Sequence, residues 1–422
     1  MLENLATTSL SQYCDANVQS LGRETPSDFQ FRYIDLSSVN QGSIDWQKAR
    51  VLTFAGSPSR ARRVVKPGDV LFSTVRPSLM GHGMVRATAD LPVIASTGFA
   101  VLSPKDGVDG RFLFHALFLD EFKRQVTQFE VGSNYPAINE SDLLRVKLAA
   151  LDGPSQLFIA DVLDALDDAI IETDALIEKL RTIRVGLIDE LLARGVSDDG
   201  SPRVSSALIE TDVGPRPPAW KIENLGRFVI SAEYGTNLSL GDIIGGIPVL
   251  RMNNIQDGEF DLSDLKYAPA HAVERFRVQR NDVLFNRTNS WEHVGKAAIW
   301  RHDEPGPAFA SYLVRLHCGD ELLPEFLHLW LNWAPVQRAI RQFATPGVQQ
   351  VNINPTNLRR ALIAVPDTLD EQRAIIERVS GVSAAIEDHR RERAKLAALR
   401  EGLRDDLLSG RKLVAAILEA AE

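Results

Sequence analysis

The sequence predicts an α+β protein: two similar domains joined by two long antiparallel helices that form a coiled coil, with a pseudo-two-fold internal repeat. Three observations predict it. The chain matches itself at an offset near 215 residues, each copy ends in a heptad seam, and a stretch of breaker residues separates the copies.

The repeat is read in order along the chain. Tyr33 to Asp45 lines up with Val249 to Asp261, and Gly68 to Phe72 with Asn281 to Phe285. Ala95 and Ser96 match Ala310 and Ser311, Phe112 and Leu113 match Phe326 and Leu327, and Gln128 and Phe129 match Gln342 and Phe343. Ile138, Asn139 and Leu143 match Ile353, Asn354 and Leu358. Each copy begins with short strands separated by turn residues, among them Val70 to Phe72 and Val283 to Phe285, each fed by a turn. Asn40 and Asn254 read as turn closers. A helix is expected from Phe112 to Phe129, with Phe114, Leu117, Phe118 and Phe122 at spacings of three and four, and its counterpart from Glu325 to Phe343.

Each copy ends in a longer helix. Ile159, Leu163, Leu166, Ile170, Thr173, Ile177, Leu180, Arg184, Leu187 and Leu191 alternate at four and three, the seam of a coiled coil. The equivalent series is Ile375, Val379, Val382, Ile386, His389, Arg393, Leu396, Arg400, Leu403 and Leu407. Roughly forty residues at 1.5 Å each span about 60 Å. An apolar stripe of that length needs a partner, and each helix is the obvious partner for the other. Gly195 and Gly410 stand where such helices stop. Ser197 to Pro202 and Gly214 to Pro218 hold the breakers of the linker. The expected organisation is a first domain at 1–150, a long helix at 151–196, a linker at 197–219, a second domain at 220–366 and a second long helix at 367–415.

Composition limits the class. The chain has 422 residues, 44% hydrophobic and 24% charged, as in a globular protein of several domains. No apolar run is long enough for a membrane span, and the N-terminus does not read as a signal peptide. Two distant cysteines, Cys14 and Cys318, suit a reducing cytoplasm and neither a disulfide framework nor a zinc site. The net charge is −9, but residues 151–210 alone carry 5 Lys+Arg against 13 Asp+Glu. Both larger segments are near neutral, so a basic face on each is compatible with the whole-chain charge. Phosphate-loop, dinucleotide-binding and His-Glu-x-x-His motifs are missing. Asn354, Pro355 and Thr356 read as a turn opening a helix, with Pro355 in its first turn.

At this point the residues resemble a known family, the specificity (S) subunits of type I restriction–modification enzymes. Trp220 with Leu225 and Gly226, then Tyr234 and Gly235, looks like the opening of a target recognition domain. Pro248 to Arg251, Gly258 and Asp282 to Phe285 look like its middle. Asn352 to Asn354, Val365, Pro366 and Glu371 to Ile375 resemble the passage into the family's helical region. The first copy has Tyr135 to Asn139, then Ser155 and Gln156, with Ser155 standing where Glu is usual, and it lacks the Trp opening.

The resemblance implies a non-catalytic subunit that binds double-stranded DNA. Each recognition domain reads one half of a split target, and the helices set the unread spacer. Two modification (methyltransferase) subunits dock on the chain, and restriction subunits join where the system has them. S-adenosylmethionine is then bound by the modification partner, ATP and magnesium by a restriction subunit, and no cofactor by this chain. Two other readings stay open: a protein-interaction scaffold without a DNA role, and a self-contained methyltransferase or nuclease with diverged motifs.

A reader of split targets needs Arg for guanine, Asn or Gln for adenine, and basic residues for phosphates. Candidates in the first domain are Arg60, Arg62 and Arg63 before the Val70 strand, then Ser73, Arg76 and Ser78 after it, with Asn134 and Tyr135 in a later loop. In the second domain they are Asn286, Arg287, Thr288, Asn289 and Trp291 after the equivalent strand, Lys296 beyond it, and Gln349, Gln350 and Asn352 in the loop that matches Asn134.

Overall fold

The fold is described from a computed structural model, which describes residues 6–86, 90–197, 200–204, 208–347 and 350–410. The chain forms two compact units, Met1–Ala175 with Arg390–Glu422, and Leu176–His389. Each unit holds one strand-rich domain and about half of each long helix.

In the first unit the strand Val70–Ser73 is buried throughout. Its run of Val, Leu and Phe is what a strand covered on both faces requires. It sits in a sheet with Phe99–Pro104, Cys14–Ala16 and Gly83–Met84. A second sheet has the order Arg50–Thr53, Gln30–Ile34, Val93–Ser96, Ala61–Val65, with Val93–Ser96 parallel to Gln30–Ile34. The second unit repeats the first sheet and three strands of the second. Val283–Asn286, equally buried, lies between Leu313–Cys318 and Ala297–Ile299, with Val229–Tyr234 outside. Ile247–Leu250 pairs antiparallel with Lys266–Ala268 and parallel with Ala308–Phe309.

Small devices recur as well. Val39–Asn40 and Ser43–Ile44 form a hairpin whose turn, Gln41 and Gly42, has φ of 44° and 94°. Its counterpart turns at Asp257 and Gly258, with φ of 51° and 83°. Two positive φ values in a row are the hairpin turn that follows strand twist. Asn254 is buried beside it and donates to the Asp261 and Asp264 carbonyls, the turn-closing role expected of it. The first copy has an opening strand too. Thr7–Ser9 pairs with Lys147–Ala149 as Lys221–Asn224 pairs with Leu362–Val365, so the missing Trp costs the first unit no strand.

One expectation is corrected. The single helices expected at 112–129 and 325–343 are each broken. They run Gly110–Ala116 and Asp120–Phe129, and Pro324–Asn332 and Ala334–Ile340 followed by a short turn. Leu119 and Trp333 are extended at the breaks. Pro335, within the first turn of its helix, explains the second break, because a proline cannot donate within a continuing helix. The first break is marked by Asp120 and Glu121, acids that suit the start of a helix rather than its middle.

The long helices run Gly153–Arg194 and Leu369–Leu408. Asp152 accepts from the Ser155 N–H and Thr368 from the Glu371 N–H, capping both at equivalent places. Gly195 and Gly410 follow the ends with φ of 65° and 70°, the left-handed stop expected of them. Residues 411–415 of the expected second helix lie outside the described residues. Within the first unit Asp174 pairs with Arg393 at 3.1 Å and Asp167 with Arg400 at 2.7 Å. Two turns back along one helix therefore meet two turns forward along the other, which makes the pair antiparallel. Ile159 and Leu163 share a core with Leu407 and Leu408. Within the second unit Leu191 and Leu192 share a core with Ile375 and Val379.

Glu371 fastens the second unit's helix ends. It accepts from the Val196 N–H at 3.1 Å and from Trp220 Nε1 at 3.2 Å, and it pairs with Arg203. Removing a carboxylate from such a set strands buried donors and a cation. Glu371→Ala should lower the unfolding free energy by about 3 kcal/mol, whereas Asp370→Ala, which removes an exposed pair with Arg373, should change it by less than about 0.5 kcal/mol. Urea unfolding of the two variants checks this; equal effects would contradict it.

Candidate nucleic-acid interface

Several of the candidate residues lie on a three-stranded ribbon in each unit. In the first unit the chain leaves the buried strand through Ser73. The Thr74 N–H and hydroxyl both donate to the Gly98 carbonyl at 2.9 Å, and the Ile138 N–H donates to the Thr74 carbonyl at 3.0 Å. Val75 then pairs with Ala137, and Ala137 with Val131. In the second unit the Arg287 N–H donates to Tyr312 at 3.0 Å and the Ile353 N–H to the Arg287 carbonyl at 2.8 Å. Thr288 and Asn289 pair with Asn352 and Val351, and that strand pairs with Ala344–Pro346. The backbone bonds equate Thr74 with Arg287, Val75 with Thr288, Arg76 with Asn289 and Tyr135 with Gln350.

Two candidates are corrected, because they are buried and support the ribbon from beneath. Ser73 donates its N–H to His82 Nδ1 at 3.1 Å and its hydroxyl to the Val75 carbonyl at 2.9 Å. Asn286 is fully buried and donates to the Met252 carbonyl at 3.1 Å. Neither offers its side chain to a large ligand.

Other candidates lie on the ribbon. Arg76 is exposed and has φ of 48° and ψ of 57°, the left-handed region that an arginine seldom enters. Such a backbone costs on the order of 1–3 kcal/mol and collects at functional sites. Its guanidinium lies 4.3 Å from the centre of the Tyr135 ring and donates to the Asn134 carbonyl at 3.2 Å. Ser78 is exposed on the short turn Pro77–Leu79 just beyond. Arg287 is half-buried instead. It donates to the Ser311 carbonyl and to Asn352 Oδ1, and it covers the Tyr234 ring at 5.1 Å. Asn352 donates in turn to the Thr288 hydroxyl. This network stiffens the second ribbon. Asn289 accepts from the Ser290 N–H at 2.8 Å, and Gln350 is exposed, with Nε2 3.9 Å from Met252 Sδ. Gln349 lies outside the described residues.

The rest sit beside the ribbons. Arg60 is exposed, and its carbonyl accepts from the Thr97 N–H, next to the Gly98 that holds Thr74. Arg62 and Arg63 follow on the edge strand Ala61–Val65. Arg62 covers the Phe54 ring at 4.9 Å, and Arg63 reaches Ser20. Trp291 is half exposed, and Lys296 lies where the chain returns to pair with Asn286. Leu79, on the turn beyond the first ribbon, and Val131, on the ribbon itself, are exposed apolar side chains that the sequence reading did not single out. That reading also passed over Tyr234 as the ring beneath Arg287, since an aromatic following a strand looks like any packing residue.

One cluster of metal-ligand type appears among the described residues: His115, Asp164 and Asp167. Arg86 pairs with Asp164 at 2.7 Å, His115 Nε2 lies 2.9 Å from the same carboxylate, and Arg400 holds Asp167 at 2.7 Å. Burial alone would raise the Asp164 carboxyl, but the His115 and Arg86 bonds hold it well below the usual carboxylate range. The acids are already neutralised by side chains of the fold.

Comparison with known proteins finds one family model and several similar chains. The model of the type I restriction modification DNA specificity domain matches residues 62–182. The EcoKI specificity subunit of Escherichia coli is 22% identical over 84% of this chain and 80% of its own length. The EcoBI specificity subunit of Escherichia coli is 24% identical over 75% of this chain and 72% of its own. A match to the putative MjaX specificity subunit of Methanocaldococcus jannaschii, 26% identical, spans 40% of this chain and 41% of that relative.

Residues 62–182 carry the type I restriction modification DNA specificity domain, and the chain as a whole is similar to type I specificity subunits.

Solved structures share its fold. A chain from a type I restriction–modification complex superposes with a TM-score of 0.59 at 20% identity, covering 97% of this chain and 98% of that one. The S subunit from M. genitalium superposes with a TM-score of 0.55 at 13% identity, covering 96% and 97%. The family model covers part of one copy in this chain, and the repeated pairing pattern carries the same architecture to the other.

His82 makes the first ribbon's footing sensitive to acid. Burial, with a lesser push from Lys123, lowers its pKa to about 3, and Nδ1 accepts from Ser73, so the folded imidazole is neutral. Below pH 6.5 the unfolded chain binds a proton that the folded chain refuses, so stability falls as the pH drops from about 6.5 toward 3. The slope is about 1.4 kcal/mol per pH unit for this one proton. His82→Gln should be shallower by that amount between pH 6 and 4 in urea unfolding, and an unchanged slope would contradict it.

Proposed function

We propose that this chain is a specificity subunit that reads DNA for a type I restriction–modification complex. Each unit recognises one half of a two-part target, and the helices set the unread spacer. The observation that carries this is the duplicated ribbon: the same pairing register in both units, with different side chains at equivalent places. Two readers of different half-sites need a common frame and unlike contacts. A packing surface repeated for stability would keep its side chains alike.

The chemistry follows from the side chains. Arg60, Arg62 and Arg63 flank the first ribbon as phosphate contacts, which give affinity that falls with salt and fix register without reading sequence. The ribbon side chains face base edges. The paired helices hold their length by residue count rather than by loop flexibility. Two methyltransferase subunits dock on the helices and recognition domains and bring S-adenosylmethionine, while restriction subunits bring ATP and magnesium where they are present. The chain itself supplies recognition and no catalytic group. The scaffold and self-contained enzyme readings lose ground, since neither requires two unlike copies of one exposed ribbon.

Methylation mapping tests this. A host carrying the methyltransferase partner should gain methylated adenines in a two-part motif only when this chain is present. An identical methylome with and without it would overturn the reading, as would methyl transfer by the isolated chain.

A further inference from the structure

The two ribbons share one position that the same pairing register places opposite Pro136 in the first unit and Val351 in the second, and that is filled with different chemistry. In the first unit it is Arg76, whose N–H donates to the Pro136 carbonyl at 2.7 Å. In the second it is Asn289, paired with Val351. Neither side chain is needed to build its ribbon, because the pairing on both sides is made by backbone groups.

Arg76 carries the clearer signal. Glycine or asparagine would take its left-handed backbone more easily, so the arginine is kept for its side chain. Pro77 follows and further limits the backbone that Arg76 can adopt. Tyr135 sets the guanidinium from one side, and the ring is itself exposed on a hairpin closed by paired bonds between Val131 and Ala137. Only one of the five guanidinium N–H donors is described as engaged, at the Asn134 carbonyl. The fork is thus positioned, exposed and largely free. Asn289 spends one acceptor lone pair on the Ser290 N–H, and no described bond uses its amide N–H groups. A carboxamide in this state can still donate and accept side by side.

We propose that this position is the base-reading position of both units, with Arg76 taking guanine through O6 and N7 and Asn289 taking adenine through N6 and N7. Tyr135 is a positioning residue for Arg76. This rests on the DNA-recognition reading above and deepens it. The Arg60 to Arg63 stretch is a poorer candidate for reading, since Arg62 and Arg63 lie along an edge strand with their guanidinium groups against Phe54 and Ser20.

The test uses the full chain assembled with its methyltransferase subunits and a DNA pool randomised across both half-sites, with the methylated molecules sequenced. Arg76→Ala and Arg76→Lys should lose roughly tenfold to a hundredfold preference for guanine at one base pair of one half-site. The other half-site should stay intact. Arg76→Gly should show the same loss while its thermal midpoint holds, because glycine relaxes the left-handed backbone; a merely structural arginine would lower the midpoint. Asn289→Ala should lose preference for adenine at one base pair of the other half-site. An unchanged motif in these variants overturns the proposal. So does a loss equal on all sequences with a shallower salt dependence, which marks a phosphate contact. Failure of the unaltered complex to select any two-part motif would defeat the recognition reading itself, and it is told apart because it appears without a substitution.

Discussion

Everything else in this structure depends on the antiparallel pairing of two long helices along matched heptad seams. A lone helix of forty residues with an apolar stripe is not stable in water, and packing of the stripe supplies most of what holds it. The seam is apolar where it meets each unit's core, at Ile159, Leu163, Leu191, Ile375, Val379 and Leu407. Three of its polar interruptions have identified partners. Thr173 donates to the Ala169 carbonyl of its own helix, and Arg393 and Arg400 find Asp174 and Asp167 across the first unit's helix pair. The acid concentrated in the central helix is therefore partly the counter-charge of the second helix and of Arg86 and Arg111.

Helix and ribbon are joined by a short, bonded path in each unit. From Ile138 the chain passes an Asn139-capped turn, the strand Lys147–Ala149 and the Asp152 cap, and enters the helix. From Ile353 it passes Asn354, the strand Leu362–Val365 and Thr368 to the same effect. A buried glutamine then locks each helix start. Gln156 bonds the Leu151 carbonyl and the Asp109 N–H, and Gln372 bonds the Glu321 carbonyl and the Leu323 N–H. A buried amide with donor and acceptor both used resists rotation of the helix. The ribbon is thereby tied to its helix by backbone and amide bonds rather than by flexible linker.

Much of this was legible in the sequence, because duplication and heptads are patterns of spacing. The helix stops at Gly195 and Gly410, the turn role of Asn254 and the buried strands at Val70 and Val283 all follow from local chemistry. The breaks at Leu119 and Trp333 are easily overlooked because the apolar spacing continues across both, although Asp120 with Glu121 and Pro335 mark them in the sequence. The ribbons were half legible. Loops after the buried strands marked the place, but which polar residues face outward depends on strand pairing. Ser73 and Asn286 lie one step before it and point inward, whereas Arg76 lies just beyond and points out. The equivalence of Arg76 with Asn289 emerges only from the hydrogen bonds, because their sequences share nothing there.

In the proposed reading, helix length sets the distance between the two half-site readers. Inserting seven residues at matched positions in both helices keeps the seam in phase and adds about 10 Å, the rise of roughly three base pairs. Mapping the methylated target of such a variant, in complex with its methyltransferase subunits, is the most direct test. The account predicts unchanged half-sites separated by a spacer longer by about three base pairs. The original spacer, retained by a complex that still methylates, would contradict it.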